Sequence, residues 1–187
     1  MRVIAGIAKG RPLIVPAGRS VRPTTDRVRQ SVMDILAPFT LERAWLDLFA
    51  GSGAMGIEAL SRGARRAVFV EDDPAALRAI RANLERTGLG EKATVLRRDA
   101  LRAIEELSRS GERFDVIFAD PPYAAGLAEA VVRALAASGL AADDGVVVVQ
   151  HGAREEPAAV AGWTVWRRAR YGETTVTFLA RGGEGLA

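Results

Sequence analysis

The sequence predicts an α/β fold: an open parallel sheet with helices on both faces, ending in an antiparallel strand pair. Three observations carry this. Short apolar runs alternate with stretches of three- and four-residue apolar spacing from residue 44 onward, the signature of β and α in turn. A glycine pattern, Gly51-x-Gly53-x-x-Gly56, follows the first apolar run, as at a strand-to-helix turn that approaches a nucleotide. Lastly, Trp163–Tyr171 and Thr174–Ala180 are joined only by Gly172-Glu173, which leaves room for a hairpin and no helix.

Taken in order, Val3-Ile4-Ala5 and Leu13-Ile14-Val15 flank Gly6-Ile7-Ala8-Lys9-Gly10-Arg11-Pro12, a small hairpin with a basic tip. Pro16, Gly18 and Pro23 punctuate the stretch after it. A helix starts near Thr24-Thr25-Asp26, where a hydroxyl can cap and an acid suits the first turn. Val28, Val32, Ile35, Leu36 and Phe39 form its buried stripe, and Pro38 helps to end it. Ala44–Phe49, Ala67–Val70, Ala93–Leu96, Phe114–Ala119 and Val146–Val149 are the expected buried parallel strands. The helices between them show as Leu77, Ile80, Leu84; Leu101, Ile104, Leu107; and Leu127, Val131, Leu135.

With 187 residues, 49% of them hydrophobic, the chain can bury a full core as one domain. Cysteine is absent and histidine occurs once, which excludes disulfides, thiolate nucleophiles and Cys- or His-rich metal sites. No metal is expected. No window approaches 18 uncharged apolar residues, and the N-terminus shows no export signal, so a cytoplasmic protein is expected. Charge is unevenly placed. Residues 1–30 hold seven basic side chains against Asp26 alone, whereas the remainder carries a slight negative excess. A basic arm on a near-neutral body suggests a polyanionic partner, with Lys9, Arg11, Arg19 and Arg22 as phosphate contacts. A merely solvated arm is the simpler alternative.

Chemistry concentrates where strands end. Asp47 interrupts an otherwise apolar strand four residues before the first glycine. A carboxylate there needs backbone amides or a cationic ligand to offset its burial. It either stabilises the turn or receives an ammonium group, such as that of S-adenosylmethionine. Glu71 ends the second strand and can take both ribose hydroxyls. Asp47, Glu71, Asp99 and Asp120 follow one another at intervals of 24, 28 and 21 residues, one βα unit each. All four should line the C-terminal rim of the sheet.

Asp120-Pro121-Pro122-Tyr123 is the most specific signal. Successive prolines fix the backbone and leave rigid carbonyls pointing outward. A carboxylate and a proline carbonyl can accept both N–H bonds of an exocyclic amine on a nucleobase, and Tyr123 can stack on the base. The bland reading is a helix-entry turn. His151 and the Trp163–Trp166 pair beside Arg167, Arg168 and Arg170 are weaker candidates. The histidine suits an ordinary loop, and the tryptophans suit core packing better than RNA stacking. Arg65-Arg66 suits a solvated turn.

With these motifs assembled, the sequence resembles the class I S-adenosylmethionine-dependent methyltransferases. More narrowly it is similar to the RsmD family, bacterial 16S rRNA guanine-N2 methyltransferases. Arg22 to Arg29, Asp47 to Gly56 continued through Gly56-Ile57-Glu58-Ala59-Leu60-Ser61-Arg62, and Asp120 to Tyr123 carry the likeness. The resemblance implies a Rossmann-like sheet of five parallel strands plus a C-terminal antiparallel hairpin, with a small N-terminal β-hairpin extension. It divides the chain into a basic hairpin and arm (1–23) and a methyltransferase domain (24–187). It implies that Asp47, Phe49, Ala50, Gly51, Ser52, Gly53, Glu71 and Asp72 surround the cofactor, with Asp99 and Ala100 at the adenine. Thr24 to Arg27, including Thr25, would close the methionine end, and Asp120, Pro121, Pro122 and Tyr123 would hold the target guanine. The implied partner is 16S rRNA, in the small ribosomal subunit or an assembly intermediate, and a monomeric enzyme is expected. Rival readings are a DNA adenine-N6 methyltransferase, a nicotinamide-dependent oxidoreductase and a non-catalytic rRNA-binding factor.

Overall fold

The computed structural model describes residues 1–16, 26–123, 126–153, 155–158 and 160–182. The elements are α1 (Asp26–Ile35), β1 (Ala44–Leu48), α2 (Ala54–Ser61), β2 (Arg66–Glu71), α3 (Pro74–Thr87), β3 (Ala93–Arg97) and α4 (Ala100–Arg109). They continue as β4 (Phe114–Ala119), α5 (Leu127–Ser138), β5 (Ala141–Gly152), β6 (Trp163–Tyr171) and β7 (Thr174–Arg181). The strands form one seven-stranded sheet in the order β3-β2-β1-β4-β5-β7-β6. The five strands from β3 to β5 pair in parallel, and β7 and β6 add antiparallel.

Each face of the sheet is covered. On one, Trp45, Phe69, Val116, Val148 and Phe178 meet Met33 of α1, Ile57 and Leu60 of α2, and Ile80 of α3. On the other, Leu46, Val68, Ile117 and Val147 meet Ile104 of α4 and Val131 and Leu135 of α5. Central strands covered on both faces favour apolar residues, and β1 is buried along its whole length with Asp47 as its one polar side chain.

Three departures from the expected elements have physical causes. β3 is only partly buried, because it is an edge strand with β2 as its one neighbour. β5 runs well beyond Val146–Val149: its N-terminal part is bent across a register shift opposite Phe114 and Val116. At Gly145 a Cβ would lie 2.9 Å from the Ala142 carbonyl oxygen, so the bend requires glycine. The α1 stripe is wider than read. Within α1, Val32 is buried and Val28 and Ile35 half-buried, and Met33 and Arg29 are buried as well. The helix ends at Ile35, so buried Leu36 and half-buried Phe39 lie beyond it, the latter in a 3-10 turn at Pro38.

The N-terminal hairpin keeps its ladder to a single antiparallel bridge, Arg2 to Pro12. Backbone bonds from Val3 N to the Arg11 carbonyl, Gly10 N to that of Val3 and Leu13 N to that of Met1 add to it, and α2 ties it to the body. The Glu58 carboxylate accepts from Ile4 N and Ala5 N, and Ser61 Oγ accepts from Ala8 N and donates to the Ala5 carbonyl. Val3, Ala8 and Leu13 join the main core beneath. Covered on both sides, α2 buries seven of its eight residues.

Candidate functional site at the C-terminal rim

The strand order reverses between β1 and β4, which lie side by side and parallel while their crossovers leave in opposite directions. Open α/β sheets bind ligands outside such a switch point. Past β1 the backbone turns sharply. Phe49 takes a positive φ of 59°, Gly51 57° and Gly53 75°, and Gly53 N donates to the Ala50 carbonyl at 2.7 Å. A non-glycine residue in this region stores strain of about 1–3 kcal/mol, which marks the turn as held from outside. Gly56 serves packing: a Cβ there would sit 2.4 Å from the Phe69 ring, so only glycine lets α2 lie against β2.

Two buried carboxylates hold the turn. Asp47 Oδ2 accepts from Gly56 N at 2.9 Å, at the first turn of α2. Glu71 Oε2 accepts from Gly51 N at 2.8 Å, and Oε1 accepts from Asp72 N and Asp73 N, both at 3.0 Å. Glu71 thereby ties the loops after β1 and β2 together. Asp47 is pushed up to about 8, mainly by burial, with Asp120 and Glu71 adding repulsion against the partial relief from Gly56 N–H. Three acids thus converge at one rim. Glu71 is satisfied by three backbone amides, whereas Asp47 sets the Gly56 amide against its burial and its acidic neighbours, an environment that suits a cationic group.

Asp120 leaves β4 beside β1, its N–H 3.4 Å from the Leu48 carbonyl. Pro121 is buried, whereas Pro122 and Tyr123 are exposed. The Tyr123 hydroxyl lies 3.0 Å from Thr174 Oγ1 at the start of β7. Asp99 caps α4, its Oδ1 accepting from Arg102 N at 3.0 Å, with Ala100 buried behind it. Asp72 is exposed on the loop after β2, next to Asp73, which caps α3 through Ala76 N. Ser52 donates to the Met1 sulfur and its carbonyl accepts from Asn83. Arg27 is exposed on the first turn of α1. Arg19, Arg22, Thr24 and Thr25, and with the threonines the expected hydroxyl cap of α1, lie outside the described residues.

Lys9 and Arg11 stand elsewhere. Ile7 N and Ala8 N are held by Ser61, the last residue of α2, at the end away from the glycine turn. Eight helical residues separate the two ends by roughly 12 Å. Arg11 Nη1 donates to the carbonyl of Arg86 near the end of α3.

The remaining candidates resolve as packing. His151 is inside β5, not in a loop, and is buried; Nδ1 donates to the Gly152 carbonyl and Nε2 accepts from Thr177, both at 2.8 Å. Trp166 packs between Phe39 and Phe178, and Arg181 lies over Trp163. Arg66 is no turn residue but begins β2, pairing with Glu112 and covering Phe114. Asn83 was not singled out, although it is an amide on the apolar stripe of α3, three residues after Ile80. It bonds both backbone groups of Ile14 as well as the Ser52 carbonyl, linking the N-terminal segment to the glycine turn. Buried Arg29 was missed in the same way. Its Nη2 donates to the Arg2 carbonyl and to Asp26, and Nε lies 3.9 Å from Glu58.

A family model described as conserved hypothetical protein 95 matches residues 1–180. The chain belongs to this family, the RsmD family of methyltransferases. Among its relatives, Bacillus subtilis YlbH is 39% identical over 184 residues, 98% of this chain and 100% of that one. Ribosomal RNA small subunit methyltransferase D of Escherichia coli K12 is 35% identical over 186 residues, 99% and 92% of the two chains. The solved structure of a hypothetical protein from Thermus thermophilus, TTHA0928, superposes with a TM-score of 0.83 at 40% identity. That match covers 97% of this chain and 99% of that one. Family membership therefore extends over the N-terminal segment as well as the sheet.

Proposed function

We propose that this chain transfers a methyl group from S-adenosylmethionine to the exocyclic N2 amine of a guanine in 16S rRNA. The observation that carries the reading is the meeting of Asp47, Glu71 and the Asp120–Tyr123 segment at the switch point of the sheet. Glycine turn and acid together fit the cofactor. Nothing lies nearer than 3.9 Å to where a Cβ of Gly51 would be, so the backbone there is open to a ligand. Glu71 already orients its carboxylate at that turn and would hold the ribose. Asp47 would face the cationic methionine end, with Phe49, Ala50, Ser52 and Gly53 around it, Thr25 and Arg27 closing it, Asp72 beside the ribose, and Asp99 and Ala100 at the adenine. When bound, S-adenosylmethionine supplies a methyl group activated by its sulfonium charge.

The protein's part is positioning and electrostatics. An exocyclic amine is a poor nucleophile because its lone pair is delocalised into the ring. Asp120 and the Pro121 carbonyl accept its two N–H bonds, which turns the lone pair toward the methyl, and Asp120 then takes or passes on the departing proton. Tyr123, half exposed on a proline-stiffened loop, stacks on the base once that base has left its stack. Lys9, Arg11, Arg19 and Arg22 contact phosphates, with residues 1–23 acting as the RNA-binding arm of the 24–187 catalytic domain. The small subunit or an assembly intermediate is the substrate, and the enzyme works as a cytoplasmic monomer.

The test is methyl transfer from labelled S-adenosylmethionine to unmethylated small subunits, naked 16S rRNA and duplex DNA, with the nucleosides identified by mass spectrometry. N2-methylguanosine is the expected product. N6-methyladenine in DNA would overturn the substrate, and preferential NAD binding would overturn the chemistry.

A further inference from the structure

The two-residue turn of the C-terminal hairpin touches two other parts of the molecule at once. Tyr171 and Thr174 pair directly across Gly172-Glu173, so both side chains leave the same face of the sheet. The Tyr171 hydroxyl lies 2.6 Å from Ser31 Oγ on α1. Thr174 Oγ1 lies 3.0 Å from the Tyr123 hydroxyl. The turn itself is fixed: Gly172 adopts a φ of 64°, Ala153 N donates to the Glu173 carbonyl at 2.9 Å, and Thr174 also pairs with Gly152 of β5. Thr174 is therefore a rigid point, set by ladders on both sides. Tyr123 lies four residues past the end of β4 and is 53% exposed.

We infer that the hairpin tip is a wall of the target-base pocket, with Thr174 as the positioning residue that fixes the Tyr123 ring. This rests on the assignment of Asp120–Tyr123 to the target base. Anchored at its hydroxyl, the phenol loses the freedom to swing about its side-chain torsions, while its faces stay open for stacking. Because the same tip holds α1 through Ser31, α1 and the base-binding loop share one support. The ring is placed before the base arrives, so less ordering has to accompany base capture.

A double-mutant cycle tests this. Thr174→Val should lower kcat/KM for small subunits about tenfold, with the S-adenosylmethionine Kd unchanged within about twofold. Thr174→Ser should restore activity, because it keeps the hydroxyl. Tyr123→Phe should give a loss similar to that of Thr174→Val, and the double variant should be no worse than either alone. Thermal melting checks that each variant folds. Additive losses, an unaffected Thr174→Val, or a Thr174→Ser as impaired as Thr174→Val would overturn the positioning role while leaving the methyl-transfer reading intact. A wild type that forms no N2-methylguanosine would overturn that reading, and the inference with it.

Discussion

Asp47 shows how a residue proposed to bind a ligand burdens the free protein. Its pKa in the fold is about 8 against an ordinary 3.8, with burial the principal cause. A raised pKa means that the folded state binds the proton more tightly than the unfolded chain does. The favourable linkage is therefore complete below pH 4 and is lost as pH rises toward 8. Asp47→Asn keeps an acceptor for Gly56 N–H and removes the titration. Its melting temperature should match the wild type near pH 4 and exceed it by several degrees at pH 8.5, each kcal/mol being worth about 2–4 °C for a domain of this size. S-adenosylmethionine affinity should fall at least about tenfold in the same variant, the loss of a charge-assisted bond. Calorimetry and melting curves across pH check both. Asp120→Ala should behave differently, losing about 10²–10³ in turnover with cofactor affinity preserved. Radiolabel transfer together with a binding isotherm separates the two effects. Both acids were legible in the sequence, since a carboxylate in or directly after an apolar strand needs a reason. Thr174 and Asn83 were not, because their partners Tyr123 and Ile14 lie 51 and 69 residues away and only the fold brings them together.

Among the elements, α2 carries the most structure per residue. Its start is set by the glycine turn, its middle touches β2 through Gly56, and its end holds the N-terminal segment through Glu58 and Ser61. Ser61→Ala would leave the buried Ala8 N–H without its acceptor, alongside the loss of the bond to the Ala5 carbonyl. The expected cost is about 1–3 kcal/mol, measurable by denaturant unfolding, with hydrogen exchange rising first in residues 4–11. A variant that unfolds like the wild type would show that the Glu58, Asn83 and Arg29 hydrogen bonds, with the packing of Val3, Ala8 and Leu13, hold the segment without Ser61. The apolar runs of the central strands and the spacing of α3 to α5 could be read directly, because burial on both faces leaves no choice of residue. Edge effects were not. That β7 takes the place next to β5 agrees with its buried Val176–Ala180 run and with the arginines of β6 at the edge, a difference the sequence reading did not use. By contrast, Ala93–Leu96 is as apolar as an inner strand yet lies at the sheet edge.

At the scale of the whole molecule, the two functions assigned to the chain sit at opposite ends of α2. The reaction rim is at its start, and Ser61 holds Ile7 and Ala8, next to Lys9, at its other end, roughly 12 Å below. A nucleic acid that offers its base to Asp120 must extend down this flank before its phosphates meet Lys9 and Arg11. A substrate that runs several nucleotides beyond the target can satisfy both ends, and a di- or trinucleotide around the target cannot, at about 3.4 Å of strand per nucleotide. Replacing Lys9 and Arg11 together by alanine should therefore reduce kcat/KM severalfold on 16S rRNA or the small subunit, and barely alter it on a short fragment. The log–log salt dependence on the large substrate should become shallower by about 1.5, at roughly 0.7–0.9 for each phosphate no longer neutralised. Cofactor affinity should not move, since neither side chain approaches the glycine turn. Equal losses on long and short RNA would mean that Lys9 and Arg11 act near the target base. No loss on either would transfer the electrostatic footprint to Arg19, Arg22 or another face.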